Sequence, residues 1–251
     1  MKILLAIANY GSTNKAYLLK CLSEYNSYKK YKIDCHLYVT ENIDVSSFKN
    51  LNITVHKYNQ DIKDKLPFEH KILFSSNINK YEYYLYCEDD ILITENNVDS
   101  WINVQNSLPM EFVCGFVRYE IKNDSEIKHF TDLNHLHSVH RGSTNKSIRH
   151  KYIINDKLYA EPYNFHQGSY LINNDILHKV LNTGNYFSNK HYVGNLEGAA
   201  SDIYMNCNII KIIPIFNIDE FCIHHLSNKY ISMECYNNYN TPNNKNWETW
   251  E

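Results

Sequence analysis

Three consecutive acids, Glu88-Asp89-Asp90, close an aromatic and aliphatic run, Tyr83-Tyr84-Leu85-Tyr86-Cys87. The run reads as a buried β-strand. A strand that ends in carboxylates is costly, because adjacent charges repel and resist desolvation. A divalent cation relieves both costs. Side chains alternate along a strand, so Glu88 and Asp90 are expected to point one way and Asp89 the other. Two carboxylates on one face suit a hard ion such as Mn²⁺ or Mg²⁺, and such an ion binds phosphates. Taken alone, the triplet reads equally well as a solvated turn.

The elements around it predict an α/β fold. Ile3 to Ala8 reads as a central buried strand. After the loop Asn9-Tyr10-Gly11-Ser12, a helix is expected over 13–25 with Leu18, Leu19 and Leu22 as its apolar stripe. Strands follow at 33–39 and 53–58, then a helix at 69–77 that carries Lys71. Beyond the triplet, a helix is expected at 101–108 and a strand at 112–119. Residues 121–158 are polar and His-rich, and read as a long insertion or an irregular two-stranded excursion. A strand at 170–172, helices at 174–181 and 198–208, and strands at 211–215 and 221–225 complete the pattern. Strands alternating with helices imply a doubly wound, mostly parallel sheet in one α/β domain. The polar tail, 236–251, docks through Trp247 and Trp250 or stays loose.

Composition narrows the function classes. The chain has 251 residues, is 43% apolar and carries a net charge of −3, which gives no reason to expect nucleic-acid binding. Its 22 Tyr against 7 Gly are given little functional weight. The 7 Cys are scattered without a CxxC pair, which argues against a disulfide framework. Cys35, Cys87 and Cys114 sit in apolar runs and read as buried thiols, which suits a reducing, cytoplasmic compartment. The run Ile3–Ala8 is too short for a signal peptide, and the apolar stretch Ile209–Ile218 is interrupted by Lys211, Pro214 and Asn217. No transmembrane segment is therefore expected.

The stretch His70-Lys71-Ile72-Leu73-Phe74, followed by Tyr83 through Leu92, resembles the acidic-motif region of DXD-type glycosyltransferases of the GT-A fold. Two further stretches resemble that family. Gln167-Gly168-Ser169-Tyr170-Leu171-Ile172 is similar to its glycine-containing donor-sugar segment. Ala200-Ser201-Asp202-Ile203-Tyr204 is similar to its xED-type motif at the start of a helix, with Ser201 in place of the family's Glu. The resemblance spans roughly Met1 to Tyr230. It implies a GT-A, Rossmann-like domain over 1–235, with a nucleotide-binding half (1–120), the insertion (121–158) and an acceptor half (159–235).

It also implies roles. Asp90 is the expected direct metal ligand, with Glu88 on ribose or a metal-bound water, and either His224 or His225 completes the site. Asp202 leads as the base that deprotonates the acceptor, with Glu197 as the alternative. Either acid could instead cap a helix. Tyr10 is a candidate for stacking on the base, Lys71 and Arg118 for neutralising diphosphate, and Asp89, Gln167 and Gly168 for lining the donor site. The implied reaction is inverting transfer from a nucleoside-diphosphate sugar, UDP-linked before GDP- or dTDP-linked. The implied acceptor is a glycan or lipid-linked hydroxyl, compatible with peripheral membrane association. Rival readings are a nucleotidyltransferase, whose phosphate loop Asn9-Tyr10-Gly11-Ser12 matches poorly, a glycoside hydrolase, and a non-catalytic nucleotide-sugar-binding module. His135, His137, His140 and His150 lack the Cys or HExxH setting of a zinc site and are read as surface or cleft histidines.

Overall fold

A computed structural model describes residues 1–122, 128–131, 148–188 and 194–231. His135, His137, His140, Trp247 and Trp250 fall outside the described residues. In chain order the elements are β1 (Lys2–Asn9), α1 (Lys15–Ser27), β2 (Lys32–Val39), β3 (Asn52–Lys57), a 3₁₀ segment (Gln60–Phe68), α2 (Glu69–Ser76), β4 (Tyr83–Glu88), β5 (Ile91–Leu92), α3 (Glu95–Gln105), β6 (Phe112–Cys114) and β7 (Val117–Ile121). They continue with β8 (Lys128–Phe130), β9 (Ile148–Ile154), β10 (Lys157–Pro162), β11 (Ser169–Asn173), α4 (Asn174–Asn182), α5 (Asn195–Asn206), β12 (Ile210–Pro214), a second 3₁₀ turn (Ile218–Phe221) and β13 (Cys222–His225). This is a mixed α/β fold with parallel and antiparallel sheets flanked by helices, as expected. Two compact units are distinguishable, 1–95 with 168–209 and 96–167 with 210–251.

The first unit is built on a five-stranded sheet in the order β11-β4-β1-β2-β3. The β4-β1-β2-β3 contacts are parallel and β11 runs antiparallel to β4. Ile3 to Ile7 and Tyr83 to Cys87 are buried throughout, as central strands covered on both faces must be. Helix α1 buries Leu18, Cys21, Leu22 and Tyr25, a stripe at i, i+3, i+4 and i+7. Leu19, expected in that stripe, is half-buried beside it. Under α2, an aromatic cluster fills the core. The His70 ring stacks on Tyr86 at 4.1 Å, and both His70 and Phe74 meet Tyr170 edge-on.

The second unit contains the sheet β6-β12-β10-β9 and the ladder β13-β7-β8. The expected single strand over 112–119 is two strands. The chain leaves β6, which pairs with β12, and enters β7, which pairs with β13. The break falls at Gly115, where a Cβ would sit 2.4 Å from Lys211 Cε. Gln167 Oε1 accepts the Phe116 N–H at 2.8 Å, so the backbone donor released by the break is satisfied. Within 121–158, β9 and β10 form a hairpin whose turn residues, Asn155 and Asp156, both have positive φ (51° and 60°). Two such residues make the tight turn that matches strand twist. The helix expected at 101–108 starts earlier, at Glu95, and ends at Gln105.

Candidate active site

Strand order locates the crevice of the first unit. From β1 the chain builds β2 and β3 on one side, then returns to place β4 on the other. Between β1 and β4 the winding reverses, and ligands of such sheets bind beyond the carboxyl ends at that point. Ala8 of β1 is in register with Glu88 of β4, so Asn9 and the acidic triplet emerge together.

The strand stops at Glu88, and Asp89 and Asp90 form a turn. Strand alternation therefore does not set their directions; for Asp89, hydrogen bonds do. Asn9 Nδ2 donates to Asp89 Oδ2 at 2.6 Å, and Asn14 Nδ2 donates to Asp89 Oδ1 at 2.8 Å. Asp89 thus ties the β4 turn to the β1–α1 loop through both oxygens. Asp90 is buried and Glu88 half-buried. The backbone of the turn is held by two thiols. Cys21 and Cys87 donate to the Ile91 carbonyl at 3.4 and 3.1 Å. Burial pushes both thiols up, and the charges of Asp89 and Asp90 add to the effect at Cys21, so both stay protonated donors.

Gly168 fits against this turn. Its carbonyl accepts the Glu88 N–H at 2.8 Å, and its φ is +66°. A Cβ there would lie 2.7 Å from Ile91 Cγ1 and 3.1 Å from Glu88 Oε2. Only glycine allows the backbone this close to the carboxylate. On the β1 side Tyr10 is 48% exposed, with its hydroxyl on the Gln60 carbonyl at 3.0 Å, so its ring is available to a ligand.

Lys71 and Asp202 come together from α2 and α5. Nζ lies 2.9 Å from Oδ2, and both side chains are buried. The Lys71 ammonium also lies 4.9 Å from the Phe68 ring centre and 5.4 Å from that of Tyr186. The helix holding Asp202 begins at Asn195, not Gly198, with Gly194 as its N-cap residue. Asp202 is therefore two turns inside α5 and does not cap it. Glu197 occupies the first turn, half-buried, its Oε2 beside Gly194.

Arg118, Gln167, His224 and His225 belong to the second unit. Gln167 is fully buried and braces the β6–β7 break, and Arg118 is buried with its guanidinium 5.9 Å from the Tyr230 ring centre. His224 stacks on Tyr119 at 4.9 Å. His225 Nδ1 lies 2.6 Å from Glu120 Oε1, and its Nε2 lies 2.9 Å from Ser227 Oγ. Glu120 also accepts the N–H groups of Tyr230 and Ile231. Asn9, Asn14 and Glu120 carry no motif; their one sequence signal is a polar residue at the end of an apolar strand or in the loop after it. His150 is exposed on β9.

Among the described residues, no group of three or more His, Cys, Asp or Glu side chains forms a metal-binding cluster. No helix among them is long and apolar enough to cross a membrane. No protein-family model matches the chain. No curated protein matches its sequence. Among solved structures it is similar to S. aureus TarS residues 1–349, at 12% identity and a TM-score of 0.49, over 84% of this chain and 58% of that one. The same TarS segment in complex with UDP-GlcNAc gives 12% identity and a TM-score of 0.48, over 94% and 63%. In complex with UDP it gives 12% and 0.47, over 84% and 57%. The chain spans less than two thirds of the length of these structures, and likeness at this level establishes no shared activity.

Proposed function

We propose that the protein is a glycosyltransferase that takes a sugar from a nucleoside diphosphate, UDP before GDP or dTDP, and passes it to a hydroxyl of a glycan or lipid-linked acceptor. The observation that carries this reading is the acidic turn at the switch point between β1 and β4. Glu88 and Asp90 supply hard oxygen donors there. A Mg²⁺- or Mn²⁺-sized ion needs only one or two protein carboxylates when substrate phosphates and water complete its shell. The donor set therefore fits such an ion, held by Asp90 with Glu88 beside it. When bound, the ion would supply charge stabilisation for a departing nucleoside diphosphate.

The chain's own residues divide the remaining work. Asp89, gripped by Asn9 and Asn14, fixes the turn. Tyr10 offers an exposed ring beside the crevice for the base. Glu197 is the better-placed general base, because it is half-buried in the first turn of α5. Asp202 is buried and its Oδ2 is engaged by Lys71 Nζ at 2.9 Å, which makes it the second candidate. Carboxylate-assisted attack of that kind inverts the anomeric centre.

A thermal-shift screen of UDP-, GDP- and dTDP-sugars with and without Mn²⁺ tests the reading. A donor at about one hundred times its Kd adds about 2.7 kcal/mol to stability. A Mn²⁺-dependent shift with one nucleotide class is expected. No shift with any of the three rejects the proposal.

A further inference from the structure

A second opening in the first unit has the chemistry of a carbohydrate site. The cleft, of about 500 Å³, is bounded by the 3₁₀ segment and α2 on one side and by Phe187, Ser188 and Asn195 on the other. Its size is within the ~300–1,000 Å³ usual for ligand pockets.

Its apolar parts are held ready. Ile72 and Phe187 line it and are 58% and 54% exposed, so the cleft presents apolar surface to a ligand. Phe187 is not loose: its ring packs edge-on against Tyr186 at 5.2 Å, and Tyr186 is buried with its hydroxyl 2.9 Å from that of Tyr170. Phe68 adds a second aromatic wall.

Its polar parts are oriented and nearly neutral in sum. The Lys71 ammonium at the cleft is matched by Asp202, and the lining carries one further cation, Lys65, and one carboxylate, Glu69. Tyr58 Oη donates to Glu69 Oε2 at 2.8 Å, and Asn195 Nδ2 donates to Asp64 Oδ2 at 2.7 Å, so the carboxylate and amide on the rim are fixed in direction. A phosphate would find the buried cation, Lys71, already paired and the Glu69 carboxylate opposing it. An acyl chain would leave these groups desolvated. A pyranose ring matches both halves. Its C–H face packs on the negative face of an aromatic ring, and its hydroxyls donate and accept to amide and carboxylate.

We infer that this cleft binds a neutral oligosaccharide, as the holding site for the glycan acceptor; that last role rests on the transferase reading, whereas glycan binding itself does not. Saturation-transfer NMR on the full chain, without nucleotide, provides the test. The probes are maltotriose, cellotriose, chitotriose and mannotriose, with trigalacturonate as the anionic comparison. At least one neutral trisaccharide is expected to receive saturation, and Phe187→Ala, an exposed change, should weaken its Kd by about tenfold or more. Asn195→Ala should weaken it as well. The donor-induced thermal shift of Phe187→Ala should match that of the parent chain. Absence of transfer to all four neutral sugars, insensitivity to Phe187→Ala, or preference for trigalacturonate overturns the inference. Sugar binding without any donor shift would remove the transferase reading and leave the glycan site standing.

Discussion

Asn9 reaches from the end of β1 to Asp89 beyond the end of β4, its Nδ2 2.6 Å from Oδ2. With Asn14 on the other oxygen, this carboxylate acts as a clasp between two loops at the switch point. Asp89→Asn keeps the size but turns an NH₂ toward one of the two amide donors. Losing one charge-assisted hydrogen bond and leaving a buried donor unmet costs about 1.5–3 kcal/mol. Chemical denaturation should show that loss, and Asn14→Ala should show a smaller one.

Gly168→Ala is predicted to damage the same turn from the other side. The residue would have to adopt a φ of +66° and place its methyl 2.7 Å from Ile91 Cγ1. A destabilisation of roughly 1–3 kcal/mol is expected. Because the same methyl would approach Glu88 Oε2 at 3.1 Å, donor-induced stabilisation should fall too, as read by calorimetry.

Lys71 and Asp202 should behave as a coupled buried pair. Lys71→Met or Asp202→Asn alone leaves one charge, or one lysine, without its partner, and should cost about 3–5 kcal/mol. The double change Lys71→Met/Asp202→Asn should recover much of that. Additive losses in the double-mutant cycle would contradict the pairing. Glu197→Gln should behave differently, keeping stability and donor binding but losing turnover in a sugar-transfer assay.

Much of the first unit was readable from periodicity, and much of its wiring was not. The buried runs Ile3–Ala8 and Tyr83–Cys87 have no polar residue to confuse them, and both are strands at the sheet centre. The continuous apolar run from Phe112 to Val117 reads as one strand, but Gly115 lets the chain cross from one partner strand to another. Helix α5 starts a turn before its expected position because Gly194 in extended backbone, not Gly198, precedes it. That shift moved Asp202 from a helix end to a helix interior. Nothing local in the sequence reveals that Lys71 meets it from 131 residues away, or that Asn9 meets Asp89. Side-chain pairing across a sheet depends on the fold as a whole.

Acid should weaken the fold through His70. Its Nδ1 donates to the Pro67 carbonyl at 2.5 Å, and its Nε2 meets no hydrogen-bond partner among the described residues. Burial pushes its pKa down to about 3, with Lys71 adding to the effect. The unfolded chain takes up a proton near pH 6.5 that the native state refuses. Stability is therefore fully present above that pH and is lost as pH falls from 6.5 toward 3, by up to about 1.4 kcal/mol per pH unit. His70→Phe cannot take up that proton, so its stability should fall less steeply over the window. Parallel slopes for the two proteins would contradict the assignment.

The metal role of the acidic turn is tested most directly by titrating a UDP-sugar into the protein and into Asp90→Asn, each with and without Mn²⁺. For the parent chain, Mn²⁺ should tighten donor binding by tenfold or more, about 1.4 kcal/mol. For Asp90→Asn, circular dichroism should be unchanged and the Mn²⁺ effect should vanish. Equal Mn²⁺ enhancement in both proteins would contradict a metal held by Asp90.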